Sequence, residues 1–185
     1  RVKEMELVNG YYGTMEDFAW ISKSIKIMKG QGLPGKVWKS TEPTIMQDLA
    51  ESATFMRAKK ALKEGITTAL ALPAWSDETQ GYVMTFLSAK GTPIARRFEI
   101  WQLNHEEENL SFKEGYSHGE VDLDELYSDI TFDKNDSLVG ECWRQGLPRL
   151  VKNSDNDYAP KDCESILTIP IIQNGFCQSV VSFYY

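Results

Sequence analysis

The chain has 185 residues, 42% of them apolar and 25% charged, and carries a net charge of −7. Its length suits one large domain or two compact ones of about 90 residues each, and its composition excludes a disordered chain. The negative charge excludes a phosphate-backbone binder, which presents a clustered basic surface; the densest basic runs here, "RAKK" (57–60) and "ARR" (95–97), read as solvated faces.

The first residue is Arg1, not Met, so a further N-terminal piece is expected. Nothing at the start reads as a signal sequence. No apolar run reaches bilayer length, "SILTIPII" (165–172) being among the longest, so no membrane partner is expected. Three cysteines without framework spacing fit a reducing compartment and a cytoplasmic location.

In chain order, "EMELVNGYY" (4–12) alternates apolar residues and predicts a half-buried strand running into a turn. "TMEDFAWIS" (14–22) predicts a helix with Thr14 as N-cap and an acidic first turn, its apolar stripe being Phe18, Ile21 and Ile25. A short helix carrying Trp38 follows "GLPG" (32–35), then a strand at "TIMQDL" (44–49). "FMRAKKALKEG" (55–65) predicts an amphipathic helix with Phe55, Ala58 and Leu62 on its stripe and Gly65 as its stop. Two long apolar strands come next, "ITTALALPAW" (66–75) and "GYVMTFLSA" (81–89).

After one more strand, "RRFEIWQL" (96–103), the same order returns. Adding 105 to a residue number carries Gly10 and Tyr11 onto Gly115 and Tyr116, and Lys29 onto Lys134. The same shift carries Gly35, Trp38 and Pro43 onto Gly140, Trp143 and Pro148. A shift of 97 then aligns "ALALPAW" (69–75) with "ILTIPII" (166–172), Pro73 on Pro170. Two copies fall short of a stacked array, so the pattern reads as a tandem duplication. Asp122 is the predicted N-cap of the second copy's first helix, and Asn174-Gly175 the predicted type I′ turn between its last two strands. No counterpart of "RRFEIWQL" precedes the first copy, which again leads to the expectation of a further N-terminal piece.

The run from Gly32 to Pro73 resembles the central portion of a GAF domain, the small-molecule sensor fold of many bacterial signalling proteins. The likeness rests on Gly-x-Gly-Leu-Pro-Gly (30–35) with Trp38, on Pro43 before a strand, on "FMRA" (55–58), and on the Leu-Pro strand before a hairpin. The second copy is similar but more diverged. The resemblance implies an α+β fold of two GAF-like (PAS/profilin-like) units, 1–92 and 93–185. Each would have a five- to six-stranded antiparallel sheet with short helices packed on it, the first without its opening strand or helix. It also implies a regulatory module without catalysis or cofactor, which binds a small molecule between sheet and helices. A homodimer is left open.

The copy with the fuller pattern is the better candidate pocket. Its expected contacts are Phe18, Trp38, Arg57, and Thr67 or Thr68, for an anionic or carbonyl-bearing ligand. Both tryptophans also read as core residues, Arg57 as solvated helix surface, and "GLPG" as a turn launching a helix, because Gly35-Lys36 is followed by Val. His105 and His118 have no metal spacing, and the acidic stretch 120–136 has no calcium-loop frame, so no metal site is expected. Two alternatives stand beside the sensor. Cys142 and Cys163 occupy positions similar to those of GAF-type methionine sulfoxide reductases, although Trp143 replaces the small residue that follows the cysteine there. The other alternative is an interaction module whose pockets have filled with side chains.

Overall fold

The computed structural model describes residues 4–49, 58–75, 81–89, 91–106, 108–119, 121–152 and 159–185, with the backbone alone at Trp75. They fall into two compact units, Arg1–Ile94 and Ala95–Tyr185.

The first unit contains β1 (Glu4–Met5), α1 (Glu16–Ser24), β2 (Ile27–Met28), α2 (Gly32–Ser40), β3 (Thr44–Met46), α3 (Ala58–Lys63), β4 (Ile66–Trp75) and β5 (Gly81–Ala89). Its strands form two antiparallel sheets, β1-β2 and β3-β4-β5. Helix α2 packs against β2, β3, β4 and β5. Phe18, Leu33, Val37, Leu49, Ala61, Ile66, Ala69 and Ala71 make the core.

The second unit contains β6 (Arg97–Asn104), β7 (Asn109–Ser117), α4 (Leu123–Tyr127), β8 (Thr131–Phe132), α5 (Leu138–Gln145), β9 (Arg149–Lys152), β10 (Ser165–Gln173) and β11 (Phe176–Tyr184). All six strands join one antiparallel sheet in the order β8-β7-β6-β11-β10-β9. Helix α4 packs on β7, and α5 on β10 and β11. Between them lies a core of Trp101, Leu110, Leu123, Tyr127, Phe132, Val139, Cys142, Cys177 and Val180.

Strand register repeats between the units except beside the last hairpin, where Trp75 pairs with Gly81 but Ile172 with Cys177. Met5 pairs with Ile27 and Leu110 with Phe132; Thr44 pairs with Ala71 and Arg149 with Thr168; Pro73 pairs with Val83 and Pro170 with Val180. Local chemistry repeats as well. A Cβ on Gly35 would collide with the Met28 carbonyl, and one on Gly140 with the Asp133 carbonyl, so glycine is what lets each tryptophan helix approach the preceding loop. Each helix also ends in a left-handed residue, Thr41 (φ 62°) and Gly146 (φ 65°), whose N–H bonds the carbonyl of Val37 or Cys142.

Several local expectations shift. Met15, not Thr14, holds the N-cap position of α1 and makes no side-chain cap, whereas Asp122 does cap α4, accepting from the Asp124 and Glu125 amides. Ala61 rather than Leu62 faces the core from α3; Leu62 is exposed, and Phe55 lies outside the described residues. Asn174 (φ 51°) and Gly175 (φ 82°) form the expected tight turn. In "EMELVNGYY" only Glu4–Met5 is strand, while its counterpart β7 is strand over nine residues. Among the described residues the first unit thus has two short sheets where a single one was expected, because no strand joins β1 to β5 as β6 joins β7 to β11.

Candidate functional site

Residues paired across neighbouring strands present their side chains on one face of a sheet. Register therefore sets Glu99 (β6), Ser182 (β11) and Thr168 (β10) in one row. The rows on either side are Arg97–Tyr184–Ile166 and Trp101–Val180–Pro170. This is the face that α4 and α5 cover, since Trp101 and Val180 share a core with Tyr127 and Val139. Glu99, Ser182 and Thr168 are all 0% exposed. A polar row thus crosses the centre of an apolar layer.

Burying a carboxyl is tolerable only where donors replace water. Glu99 has three, with the Arg97 cation beside them. The Tyr127 hydroxyl donates to Oε1 at 2.8 Å, the Tyr184 hydroxyl to Oε2 at 2.9 Å and the Trp101 indole N–H to Oε2 at 3.1 Å. Arg97 Nε stands 2.9 Å from Oε1. The Arg97 guanidinium also lies 4.4 Å from the Tyr184 ring centroid and donates through Nη2 to the Tyr127 hydroxyl at 3.2 Å. Burial pushes the Glu99 carboxyl up from the usual range, against the opposing pull of Arg97 and the three neutral donors. The same desolvation, reinforced by the Glu99 charge, pushes Tyr127 and Tyr184 well up, so both hydroxyls stay protonated as donors.

Between this row and the helices is a cavity of about 20 Å³. Its lining includes Trp101, Tyr127, Tyr184, Thr168, Ser182 and the first turn of α5. The Ser182 and Thr168 hydroxyls have no hydrogen-bond partner among the described residues, and Thr168 lies beside the Cys142 thiol. That volume holds one water-sized molecule; anything larger requires α4 or α5 to move.

The described residues among those singled out in the first unit do not converge. Phe18 is wholly buried in the core. Trp38 is half-buried at the rim, with Lys29 Nζ 5.9 Å from its ring, while its neighbour Val37 takes the core position. Thr67 is exposed; Thr68 is buried, but it alternates with Ala69 and so points to the face opposite the α1–α2 core. Arg57 lies outside the described residues. Trp143 is likewise half-buried, with Lys134 Nζ 4.7 Å from its ring. Pro43 and Pro148 immediately precede β3 and β9.

Cys142 and Cys177 share the cluster around Trp101, and Cys163 belongs to a separate one with Ile166 and Tyr184, so Cys142 and Cys163 do not form one centre. Burial pushes Cys142 and Cys163 up, and Cys177 to about 11, which disfavours the nucleophilic thiolate. Among the described residues no group of His, Cys, Asp and Glu could hold a metal ion, and no helix is long and apolar enough to cross a membrane.

Sequence patterning missed the polar row. Its one visible trace is a carboxylate inside an apolar strand, "FEIW" (98–101).

No family model matches the chain, and no curated protein matches it. Among solved structures it is similar to the GAF domain of an Acinetobacter phosphoenolpyruvate-protein phosphotransferase, at 12% identity and a TM-score of 0.41. It is also similar to the GAF domain of a phosphoenolpyruvate-protein phosphotransferase (ptsP) from Coxiella burnetii, at 11% identity and a TM-score of 0.40. Each likeness covers 49% of this chain, which spans 54% and 56% of those two chains.

Proposed function

We propose that the chain is a regulatory module of two GAF-like units that arose by duplication, and that the second unit senses a small polar molecule beneath α4 and α5. The repeated strand register supports the duplication. The cavity over the Glu99–Ser182–Thr168 row carries the sensing role, because it combines an apolar wall with buried polar groups, two of them, Thr168 and Ser182, without a hydrogen-bond partner among the described residues. At about 20 Å³ the cavity is nearly closed, so a ligand larger than water must displace a helix. Displacement of α5 is then the signal, and the difference in ligand affinity between the two helix positions sets how far their populations shift.

A thermal-shift and fluorescence screen of small polar metabolites on the chain and on Ser182→Val tests this reading. A ligand that stabilises the chain, perturbs Trp101 emission and loses its effect in Ser182→Val is the expected result. An effect that survives Ser182→Val but disappears in Arg57→Ala would move the site to the first unit. If no ligand is found and the Ser182→Val protein is more stable, the cavity is a filled remnant and the interaction-module alternative gains.

A further inference from the structure

The polar row of the second unit does not end at Thr168. Thr168 pairs with Arg149 of β9, so the row runs Glu99–Ser182–Thr168–Arg149 on the face that α5 covers. Val151, two residues beyond Arg149, lies on the same face, where it packs with Ile166 and Leu138. Each step of the row spans about 5 Å, which puts Glu99 about 10 Å from Thr168. Glu99 and its counter-ion Arg97 close one end, and Arg149 stands at the other.

Arg149 turns up to α5. Its Nη2 lies 3.2 Å from Glu141 Oε2, and Nη1 donates to Gln145 Oε1 at 3.0 Å. Those two residues are four apart and share one helix face, so the guanidinium ties α5 to the edge of the sheet. Beside this tie, the cavity of about 20 Å³ gathers hydrogen-bond donors. The Ser182 and Thr168 hydroxyls are wholly buried and without a partner among the described residues. Above them is the first turn of α5, where Ser137 Oγ takes the Gly140 amide and the amides of Leu138 and Val139 have no acceptor within the helix. Such a set, with a guanidinium at its rim, fits a ligand that only accepts hydrogen bonds, and a carboxylate above all. The existing ion pair is exposed enough to exchange, at 33% for the Arg149 side chain and 37% for Glu141. These groups belong to the second unit alone, since the repeat places Thr44, Ala71 and Lys36 where it has Arg149, Thr168 and Glu141.

We propose that the second unit takes a small carboxylate beneath α5, and that Arg149 exchanges Glu141 for it. The ligand carboxylate accepts from Arg149, Thr168 and Ser182, and its apolar end lies against Ile166 and Val139. Glu99 keeps Arg97 as its counter-ion, so the ligand's charge meets Arg149 and not a second carboxylate. Release of Glu141 unties α5. The guanidinium that selects the charge is therefore also the trigger, because it cannot hold the ligand and the helix at once. The inference rests on the sensing role of this cavity and adds to it the chemical class of the ligand and the contact that couples binding to helix movement.

The test titrates the full chain with propionate and with propionamide, which keeps the shape without the charge, at constant ionic strength. Amide NMR signals report the site. The proposal expects propionate to give saturable shifts at Thr168 and along α5, none along α2, and propionamide to bind about tenfold more weakly or worse. Arg149→Met should weaken propionate binding about tenfold or more. Glu141→Gln should do the reverse and tighten it, because Arg149 is then already released. The two variants remove opposite sides of one ion pair, so a purely structural tie would make them act alike; urea midpoints check that each is folded. Equal binding of acid and amide overturns the proposal. So does a Glu141→Gln chain that binds propionate no more tightly than the native one, or a native chain with no saturable response to propionate. A neutral metabolite whose effect is lost in Ser182→Val would uphold the sensing role while this ligand class fails, and silence toward both kinds of ligand overturns the two together.

Discussion

Lys134 holds its ammonium 4.7 Å from the ring centroid of Trp143, nine residues further along the chain. The counterpart pair, Lys29 and Trp38, keeps the same spacing in sequence and stands 5.9 Å apart. In each unit the lysine leaves the loop after a short strand and the tryptophan leaves the helix that follows, so the contact clips helix to loop. A half-buried cation–π pair contributes about 0.5–1 kcal/mol, and the effect fades near about 6 Å. A double-mutant cycle with Lys134→Met and Trp143→Leu, followed by urea unfolding, should give a coupling of about 0.5–1 kcal/mol. The Lys29–Trp38 cycle should give less. Equal couplings, or none at the closer pair, would show that the contacts are incidental.

Gly35 and Gly140 yield a prediction opposite in sign to helix propensity. In an exposed helix, Gly→Ala stabilises by about 1 kcal/mol. Here the added methyl meets the backbone carbonyl of Met28 or Asp133, and backbone cannot rotate away. Gly35→Ala and Gly140→Ala should each destabilise by about 1–3 kcal/mol, the usual range for overpacking. Gly146→Ala tests a different cause, since its φ of 65° is left-handed and its nearest neighbour, a side-chain carbon of Ile172, is 3.6 Å from the added methyl. It should cost about 1 kcal/mol through backbone strain alone. Calorimetric melting of the three variants separates the two mechanisms.

Features confined to one element were legible in the sequence. Asp122 before Asp124 and Glu125 announces a capped helix start, and Asn174-Gly175 announces its turn, because each depends on a few neighbouring residues. Trp38 and Trp143 read as core residues in the sequence; both are half-buried, and Trp143 packs on the Trp101 cluster whereas Val37, not Trp38, enters the first unit's core. Periodicity cannot tell which of Val37 and Trp38 turns inward when the helix is only nine residues long. The polar row was hidden for another reason. Glu99, Thr168 and Ser182 meet only through strand register, and a single-residue slip of β11 would send Ser182 to the other face. The short β1 was misread because alternation records the ability to be a strand, while strand length follows from the partners at its edges.

The thiols should be inert in the folded chain. Cys142, Cys163 and Cys177 are all buried, and burial raises each of them, Cys177 to about 11. A thiol at that value is about one part in ten thousand thiolate at pH 7. Labelling with a charged aromatic disulfide at neutral pH should be slow for all three and become rapid in urea. Fast labelling of Cys142 together with methionine sulfoxide turnover would restore the reductase alternative.

Glu99 makes the most distinctive prediction, because its burial pulls against its three donors and the Arg97 charge. Desolvation is the larger influence, so the folded carboxyl binds its proton more tightly than the unfolded one does. Linkage then fixes the sign. The contribution of Glu99 to stability is fully present below its unfolded value, near 4.5, and is lost as pH rises through the folded value above that. Glu99→Gln removes the titration but keeps the shape and one amide oxygen for the tyrosine hydroxyls. The stability of the native chain minus that of Glu99→Gln, from urea midpoints, should therefore be largest near pH 4 and shrink toward neutrality. Glu99→Leu acts chiefly above that folded value. There it leaves the Arg97 guanidinium buried without its counter-ion, a loss of about 3–5 kcal/mol, and the double variant Arg97→Met/Glu99→Leu should recover most of it. If the difference between the native chain and Glu99→Gln instead grows with pH, Arg97 and the hydroxyl donors outweigh desolvation, and the carboxyl is ionised at all working pH values.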